Sequence, residues 1–433
     1  MTSQQDSSER IYRDPVHNII RVRGDEPDGR LIIRLIDTPE FQRLRRVRQL
    51  GLAHFAYQGA EHSRFTHSLG AYHLASRIIW RLGEKYPIEP ADRTAVLAAT
   101  LLHDVGHGAF SHVIESILGF HHEDFTVESV LSPETGVGRV LAETDPELPG
   151  RVASIIHGTF RPMALAQLVS SQLDVDRMDY LLRDSLMTGV KYGVYDLEWI
   201  VKSLEINLEE DQLYVSAPGI YAVEDYLQAR YYMFRQVYFH RTLRAAEMIL
   251  KSLLRRALKV FAEGGDVWFA SRTPFEKILS GKKLLLEEHL AIDDSDFIFH
   301  VKQWQRSADV VLADLAFRFL NRKLFKALDL DMPEAERTEF VERSREAIAA
   351  AGLDPEYYLL EDTGGDVEHN FYIADPAKPK NLIYVEDGYA HPRIREISEV
   401  SSAVRGLQQG YRIHRLCFPD ELRREIADLY HRR

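Results

Sequence analysis

The sequence predicts a mainly α fold, in which a helical core is followed by a small α+β region at the C-terminal end. Apolar stretches suited to buried helices occur at 67–82 and 95–102. The segment Asp37-Thr38-Pro39 is a typical helix start, because Asp or Thr can cap a helix and Pro is favoured at its first position. Around 371–373 and 382–385 the pattern changes to short β-like runs separated by Asp-Pro and Asp-Gly turns.

The remaining elements follow in order along the chain. Residues 174–185 predict a helix rich in acidic side chains, and 205–220 predict a β-hairpin that ends in Pro-Gly. A long helix is expected from about residue 222 to 262, and its many aromatic side chains are typical of a helix buried in a core. Helical stretches and turns alternate from 265 to 350.

Length and composition limit the domain organisation. The 433 residues are enough for one large or two ordinary domains. A content of 45% hydrophobic and 28% charged residues indicates a soluble globular protein, and no run approaches the roughly 20 apolar residues of a membrane span. We expect a disordered tail at 1–10, a first domain at 11–262 with its core at about 45–190, and a C-terminal α+β region at 263–433.

Charge and cysteine content limit the partners and the location. The formal net charge of −12 argues against broad nucleic-acid binding, which needs a basic surface. The N-terminus is polar and lacks the apolar segment of a secretory signal. The single cysteine, Cys417, excludes an internal disulfide and a cysteine-rich metal site. We therefore expect a cytoplasmic protein without membrane attachment.

The most specific motif is the stretch 101–112, in which His103 and Asp104 stand side by side at the end of an apolar helix. One nitrogen and one oxygen donor from neighbouring positions suit Mn, Fe or Zn better than Ca, which prefers oxygen. Two glycines then break the helix, and His107 and His112 follow where they could face a bound substrate.

Further candidate ligands belong to separate predicted helices. His67 lies in an upstream helix, and the segment 174–184 carries four acidic residues. Nine of the eighteen histidines fall in the stretch from His54 to His122, although any one of them alone is more often a hydrogen-bonded structural residue. The residue types alone do not decide which downstream acid would bind a metal.

Several motifs in a common order identify a resemblance to a known family. They are the segments 14–17, 36–45 and 174–180 together with the His67 and His103 motifs. Across roughly residues 10–250 the chain resembles the HD-domain deoxynucleoside triphosphate triphosphohydrolases of animals and bacteria. The resemblance implies an HD phosphohydrolase domain at 11–262. It also implies metal-dependent hydrolysis of deoxynucleoside triphosphates (dNTPs) to deoxynucleoside and inorganic triphosphate.

The resemblance also assigns roles by position. The metal ligands that it implies are His67, His103, Asp104 and Asp176. The catalytic group that it implies is His107, His112, Glu115 and His122. The substrate-binding residues that it implies are Gln49, Leu50, Arg64, Arg177, Tyr180, Asp184, Arg230 and Tyr238. The allosteric residues that it implies for a guanine-nucleotide activator are Asp37, Gln42 and Arg45.

The chemistry of these residue types suits the implied roles. Imidazole transfers protons near neutral pH, and the planar guanidinium group matches phosphate oxygens. Leu50 and Tyr238 would crowd a 2′-hydroxyl and favour deoxyribose. Three positions depart from the family pattern: Glu115 stands in place of Asp, Phe239 in place of Gln near the sugar, and Arg13 in place of Asn in the activator site.

Other interpretations are open. The chain could be a different HD phosphohydrolase, such as a nucleotidase or a cyclic-nucleotide phosphodiesterase, or a nucleotide-gated binding protein. Asp37 could merely cap a helix, and His121 could take the place of His122. The partners that we expect are a dNTP with Mg on its triphosphate, a guanine-nucleotide activator, and further copies of this chain in a dimer or tetramer.

Overall fold

Helices dominate the computed structural model, as the sequence predicts, and the strands form small sheets. The structure describes residues 9–363, 372, 374–375, 381–388, 392–408 and 413–431, except for the side chain of His112. Among these residues no helix is both long enough and apolar enough to cross a membrane.

The N-terminal half begins with an antiparallel hairpin of β1 (Arg10–Asp14) and β2 (Asn18–Val22). The helices that follow are α1 (Pro27–Ile36), α2 (Pro39–Arg43), α3 (Arg64–Gly83), α4 (Pro90–Leu102), α5 (His112–Leu118), α6 (His122–Leu131), α7 (Gly136–Thr144), α8 (Leu148–Ile156), α9 (Met163–Ala166) and α10 (Val175–Thr188).

Side-chain caps fix where two of these helices begin. Thr38 caps α2 by accepting a hydrogen bond from the amide of Phe41 at 3.4 Å. Asp174 caps α10 by accepting from the amide of Arg177 at 2.8 Å. The predicted helix start at 37–39 is therefore confirmed, with Thr38 as the capping residue.

The C-terminal half contains the remaining helices and strands. The helices are α11 (Leu197–Ser203), α12 (Ile220–Met233), α13 (Arg241–Ala262), α14 (Phe275–Leu279), α15 (Leu286–Leu290), α16 (Asp294–Trp304), α17 (Val310–Leu320), α18 (Glu334–Ala350), α19 (Pro355–Tyr358), α20 (Ile397–Val400), α21 (Ser402–Leu407) and α22 (Arg423–His431). The strands are β3 (Leu204–Asn207), β4 (Gln212–Val215), β5 (Lys326–Asp329), β6 (Leu360–Asp362), β7 (Tyr384–Asp387), β8 (Arg393–Glu396) and β9 (Arg415–Phe418).

Two small sheets join segments that are distant in sequence. One has the order β3-β4-β7-β8, in which β4 and β7 are parallel and the other neighbours are antiparallel. The other has the antiparallel order β5-β9-β6. The β3–β4 pair confirms the predicted hairpin. Because the first sheet contains strands from both sides of residue 262, contacts cross the predicted domain boundary, which stays a prediction.

Two groups of buried apolar side chains build the core. The first group includes side chains of α1, α3, α4, α8, α10 and α12. The second group includes side chains of α13, α16 and α17. Leu50 and Tyr57 pack against both groups. The segment between α2 and α3 therefore lies where the two groups meet.

The long helix predicted over 222–262 is interrupted. α12 ends at Met233, a π-helical turn spans Phe234–Tyr238, and α13 begins at Arg241. No Pro or Gly marks this break in the sequence, and π turns are frequent at functional sites. The predicted tail at 1–10 lies outside the described residues up to position 8, and Arg10 already belongs to β1.

Candidate active site

Side-chain atoms that can bind a metal ion lie close together where α3, α4 and α10 meet. Nε2 of His67 lies 3.3 Å from Nε2 of His103 and 3.0 Å from Oδ1 of Asp176. Nε2 of His103 lies 3.6 Å from the same carboxylate oxygen and 3.4 Å from Oδ1 of Asp104. Metal-to-ligand distances are about 2.0–2.2 Å, so atoms with these separations can share one ion. The structure thus brings together the four predicted metal ligands.

Both imidazoles are oriented with Nε2 toward the centre of the site. Nδ1 of His67 donates to Oδ2 of Asp179 at 2.8 Å, and Nδ1 of His103 donates to the carbonyl of Thr100 at 2.7 Å. Each ring therefore presents Nε2 to the centre, and such outer hydrogen bonds also make that nitrogen more basic. This donor set fits a divalent transition metal.

A buried network behind His67 holds Asp179 in place. Arg183 donates to both oxygens of Asp179, at 2.8 and 2.9 Å, and Nε2 of His17 donates to Oδ1 at 2.7 Å. Asp14 accepts from Arg183 at 2.7 Å. Despite burial, these cationic and hydrogen-bonding partners hold the pKa of Asp179 well below its usual range. The sequence motif at 14–17 thus supports a metal ligand rather than supplying one.

Gly70 makes room for this network on α3. A Cβ atom at this position would lie 1.9 Å from Oδ1 of Asp179 and 2.4 Å from a guanidinium nitrogen of Arg183. Because α3 and α10 are packed this closely, a side chain at Gly70 would displace the carboxylate that orients His67. A glycine three residues after His67, inside an apolar helix, was the sequence feature that could have revealed this close approach.

Metal binding at this centre is expected to release a proton. Burial alone would lower the pKa of His67, but hydrogen bonds to Asp176 and Asp179 raise that pKa to about 10. The metal-free ring is therefore protonated at neutral pH, whereas a metal ligand must be neutral. The apparent affinity for Mn²⁺ should rise about tenfold per pH unit below that pKa, as about one proton is displaced. Calorimetry in buffers of different ionisation enthalpy measures this proton, and binding without proton release would contradict the assignment.

Asp104 connects the metal ligands to the predicted catalytic group. Its Oδ1 lies 3.3 Å from Nε2 of His107, and its Oδ2 accepts from Arg64 at 2.6 Å. Arg64 also donates to Oγ of Ser111 at 2.7 Å. Although burial opposes it, the nearby charge of Arg64 holds the pKa of Asp104 well below its usual range. Asp104 is therefore ionised when the site operates.

His107 and His122 form a stacked pair. Their ring centroids are 3.6 Å apart and their planes are inclined by 14°. Oε1 of Glu115 lies 2.9 Å from Nδ1 of His122 and 3.5 Å from Nδ1 of His107. Imidazole binds metals in the plane of its ring, and two stacked rings have no common in-plane point, so this group suits proton transfer better than a second metal. Glu115, which replaces the family's Asp, still reaches both histidines.

The fourth predicted catalytic residue, His112, is the first residue of α5, and its side chain lies outside the described part of the chain. The two residues before it, Phe110 and Ser111, both have a φ of 49°. Such left-handed conformations are uncommon for residues other than glycine. The chain therefore turns sharply between the HD motif and α5.

Two tyrosines lie beside the metal ligands. The ring of Tyr180 is 6.4 Å from the ring of His67 and 6.2 Å from that of Tyr238. The hydroxyl of Tyr238 donates to Oδ2 of Asp184 at 2.9 Å, and Nε2 of His62 donates to Oδ1 at 2.8 Å. Tyr238 is the last residue of the π turn, so this irregular turn places the Tyr238 ring at the site. The role of His62 was not predicted.

Two of the predicted substrate-binding arginines, Arg177 and Arg230, lie close to Tyr180. Arg230 donates to Oε1 of Gln172 at 2.5 Å, and Arg177 forms an ion pair with Asp174. Burial lowers the pKa of Arg230, and the positive charge of Arg177 lowers it further. An anionic ligand beside Tyr180 would offset the repulsion between these two cations.

Gln49 and Leu50 occupy the segment where the two apolar groups meet. The amide of Gln49 donates to the carbonyl of His62 at 3.0 Å. Its side-chain Oε1 is buried and has no hydrogen-bond partner among the described residues. An unpaired buried oxygen costs about 1–3 kcal/mol, so it marks a place where a ligand hydroxyl could donate.

The predicted activator residues lie near the protein surface, at and just before α2. Arg10 donates to both oxygens of Asp37 at 2.6 Å, and the Asp37 side chain is 52% exposed. Nε of Arg45 donates to Oε1 of Gln42 at 2.8 Å. The guanidinium of Arg45 also stacks over Phe65, 3.5 Å from its ring centroid. Asp37 thus pairs with Arg10 and Gln42 pairs with Arg45, and neither pair includes a proposed metal ligand.

Two known protein-family regions match most of the chain. The HD domain matches residues 64–184, a range that includes all four proposed metal ligands. The HD associated region matches residues 195–417. This range includes the π turn and all strands of the two C-terminal sheets, except for Phe418 at the end of β9.

Similar proteins extend over nearly the whole chain. The protein YwfO of Bacillus subtilis is 38% identical over 418 residues, which cover 96% of this chain and 93% of that protein. The crystal structure of a phosphohydrolase from Bacteroides thetaiotaomicron has a TM-score of 0.78 and 30% identity, and the match covers 95% of this chain and 100% of that chain.

A relative named for its activity matches over a shorter range. The deoxynucleoside triphosphate triphosphohydrolase SAMHD1 homolog of Dictyostelium discoideum is 32% identical over 268 residues. The match covers 58% of this chain and 50% of that protein, so the similarity spans about half of that relative's length.

These matches and the site geometry define the class of protein. The chain belongs to the HD-domain family and carries the HD-associated region. It is an HD-domain phosphohydrolase, and the predicted resemblance to the deoxynucleoside triphosphate triphosphohydrolase family is confirmed.

Proposed function

We propose that this protein hydrolyses dNTPs to deoxynucleoside and inorganic triphosphate, with a divalent transition metal as cofactor. The observation that carries the proposal is the position of the His67, His103 and Asp176 donors next to Asp104, which contacts the stacked His107–His122 pair. The relative named as a dNTP triphosphohydrolase supports the substrate class.

The proposed metal ligands are His67, His103, Asp104 and Asp176, which suit Mn, Fe or Zn. A divalent ion at this position supplies Lewis-acid activation of water and of the phosphate. Asp179 fixes the ring of His67, so the nitrogen donors need no rearrangement when the metal binds. A separate Mg ion would accompany the triphosphate of the substrate.

The reaction needs two proton transfers. A water oxygen bonds to the α-phosphorus and loses a proton, while the bond from phosphorus to the 5′ oxygen breaks and that oxygen gains a proton. We assign the first transfer to His122, which Glu115 orients. Burial and the charge of Arg64 lower the pKa of His107 to about 3, so that ring is neutral. We assign protonation of the 5′ oxygen to His112.

The triphosphate would be bound by Arg64, Arg177 and Arg230. All three guanidinium groups are largely buried, and their planar donors match phosphate oxygens. Arg230 is 2% exposed, and its guanidinium group also donates to Gln172. A phosphate group bound beside Arg177 and Arg230 would reduce the repulsion between their positive charges.

Ribonucleotides are expected to be poor substrates. Leu50 and Tyr238 would contact the 2′ carbon of the sugar, and the free Oε1 of Gln49 would accept from a sugar hydroxyl. Leu50→Ala should reduce the preference for dGTP over GTP, measured as a ratio of kcat/KM, by about tenfold or more. Leu208→Ala is the control, since Leu208 is 62% exposed. Equal kcat/KM for both nucleotides in the wild type would contradict this pocket.

Product analysis tests the proposed function. The protein is incubated with each dNTP and NTP, and in parallel with nucleoside monophosphates and cyclic nucleotides, in the presence of Mn, Fe or Zn, and the products are separated by ion chromatography. Intact inorganic triphosphate supports the proposal. Phosphate released from a nucleoside monophosphate would indicate a nucleotidase, and opening of a cyclic nucleotide would indicate a phosphodiesterase. Tight nucleotide binding without any product would indicate a nucleotide-gated binding protein.

The proposal includes a homo-oligomer. Tyr192, Val194 and Tyr232 are 46%, 64% and 45% exposed, and the two tyrosine rings are 6.1 Å apart. Neighbouring exposed apolar side chains often mark an interaction surface. Light scattering distinguishes a dimer or tetramer from a monomer, and a monomeric mass at all concentrations would contradict this part of the proposal.

A guanine nucleotide is the proposed activator. The carboxylate of Asp37 can accept from guanine N1 and N2, and Arg45 can donate to O6 and N7. The nucleotide must displace Arg10 from Asp37, but such an exposed ion pair contributes only about 0–1 kcal/mol. We expect dGTP to stimulate dATP hydrolysis, Asp37→Ala to remove the stimulation, and Arg10→Ala to preserve it. Stimulation that survives in Asp37→Ala would exclude this site.

A further inference from the structure

One carboxylate from the C-terminal half binds two separate segments of the active-site wall. Oδ1 of Asp294 accepts from the amide of Phe110 at 2.9 Å, and Oδ2 accepts from the amide of Arg48 at 3.1 Å. Asp294 is the first residue of α16 and is only 3% exposed. Both of its oxygens are thus committed to backbone amides in the protein interior.

The first of these segments, 105–111, is the turn that follows the HD motif. Phe110 and Ser111 both have a positive φ, a conformation that persists in such residues only where the surrounding structure imposes it. Oγ of Ser111 accepts from Arg64, which in turn donates to Asp104. The hydrogen bond at the Phe110 amide therefore determines where Ser111 meets Arg64.

The second segment, 47–50, carries Gln49 and Leu50. It pairs with the start of α3, because the amide of Arg64 donates to the carbonyl of Val47 at 2.9 Å. The Arg48 amide is the next donor along this segment, and Asp294 accepts from it. The side chain of Asp294 thus fixes the segment 47–50 relative to the turn 105–111.

Neighbouring residues reinforce this anchor. Nε2 of His289 donates to the carbonyl of Gly106 at 2.7 Å. Arg43 donates to the carbonyls of Ile292, at 2.6 Å, and His107, at 2.8 Å. The segment 289–294 therefore contacts the turn after the HD motif directly at Gly106 and Phe110, and Arg43 bridges it to His107.

We propose that Asp294 is a positioning residue for the hydrolytic site, which holds the turn 105–111 and the segment 47–50 in register with each other. It acts on the reaction through Ser111 and Arg64 on one side and through Gln49 and Leu50 on the other. The activity readout of this inference rests on the proposed dNTP hydrolysis, whereas its structural readout does not.

The test compares Asp294→Asn with Asp293→Asn. An asparagine at 294 has one acceptor oxygen, so at most one of the two amide bonds survives. Asp293 caps α16 through the Ser295 amide and pairs with Arg46, and neither contact reaches the turn 105–111. Hydrogen exchange of peptides that cover 45–50 and 105–112, metal content, and kcat and KM for dNTPs are measured in both variants.

In Asp294→Asn we expect exchange in both peptides to accelerate by about tenfold, with metal content unchanged. We expect kcat to fall by about 10- to 100-fold, because displacement of a reacting group by about 1 Å can cost 10²-fold. Exchange and kcat equal to those of Asp293→Asn would overturn the inference. If the wild type hydrolyses no dNTP, the proposed function fails and the exchange data alone decide the inference.

A wild-type measurement covers the case in which Asp294→Asn does not fold. In increasing sub-denaturing urea, the two peptides should lose protection at the same concentration, because one carboxylate holds both amides. Opening of 45–50 and 105–112 at clearly different urea concentrations would overturn the inference.

Discussion

Replacement of Asp176 by alanine is expected to abolish metal binding and turnover while the protein remains folded. Oδ1 of Asp176 lies 3.0 Å from Nε2 of His67 and 3.6 Å from Nε2 of His103, so its loss removes the carboxylate shared by both histidines. Its side chain is 29% exposed, so truncation opens no buried cavity. Elemental analysis, thermal unfolding and dNTP hydrolysis measure the three expected results.

Asp179→Asn is the matched comparison for this variant. It retains every donor atom at the metal but weakens the hydrogen bond that orients His67, and loss of such an outer partner costs about 10- to 100-fold in metal affinity. Asp176→Ala should lose more than that. Full metal occupancy in Asp176→Ala would contradict the assignment and transfer it to another acid of α10. Asp174 is a poor substitute, because it caps the helix and pairs with Arg177.

The elements that carry the metal ligands could be predicted because their pattern is local. His67 lies in an apolar helix and His103 directly follows one. The predicted stretch 67–82 lies within α3, and the predicted stretch 95–102 is the C-terminal part of α4. The His103-Asp104 pair places two different donors at neighbouring positions, so its chemistry is visible without knowledge of the fold. Asp176 was chosen by resemblance, since its helix contains several acids that are equivalent by residue type alone.

The supporting residues could not be predicted, because each contact joins distant parts of the chain. His17 and Asp179 are 162 residues apart, and Arg48 and Asp294 are 246 apart. An isolated Asp or His in a helix is an ordinary residue, and only tertiary packing makes it a partner of the site. The π turn that places Tyr238 has the same origin, since the local sequence contains no helix-breaking residue.

Replacement of His122 by alanine is expected to lower kcat by about 10²- to 10⁴-fold, with metal still bound. The ring of His122 stacks on His107 and is oriented by Glu115. His122 is not among the proposed metal ligands. His107 cannot readily take over as the proton acceptor, because burial and the charge of Arg64 lower its pKa to about 3 and make it a weak base. Steady-state kinetics with dNTP and elemental analysis of the variant check both expectations.

His121→Ala provides the control for this prediction, because the neighbouring His121 is exposed and makes no side-chain cap to α6. A surface substitution of this kind should leave turnover near the wild-type value. Glu115→Gln should have an intermediate effect, since the amide can still contact His122 but no longer carries the charge that stabilises its protonated ring. Near-wild-type turnover in His122→Ala would remove His122, and with it Glu115, from the reaction. A large loss in His121→Ala would assign the proton transfer to His121.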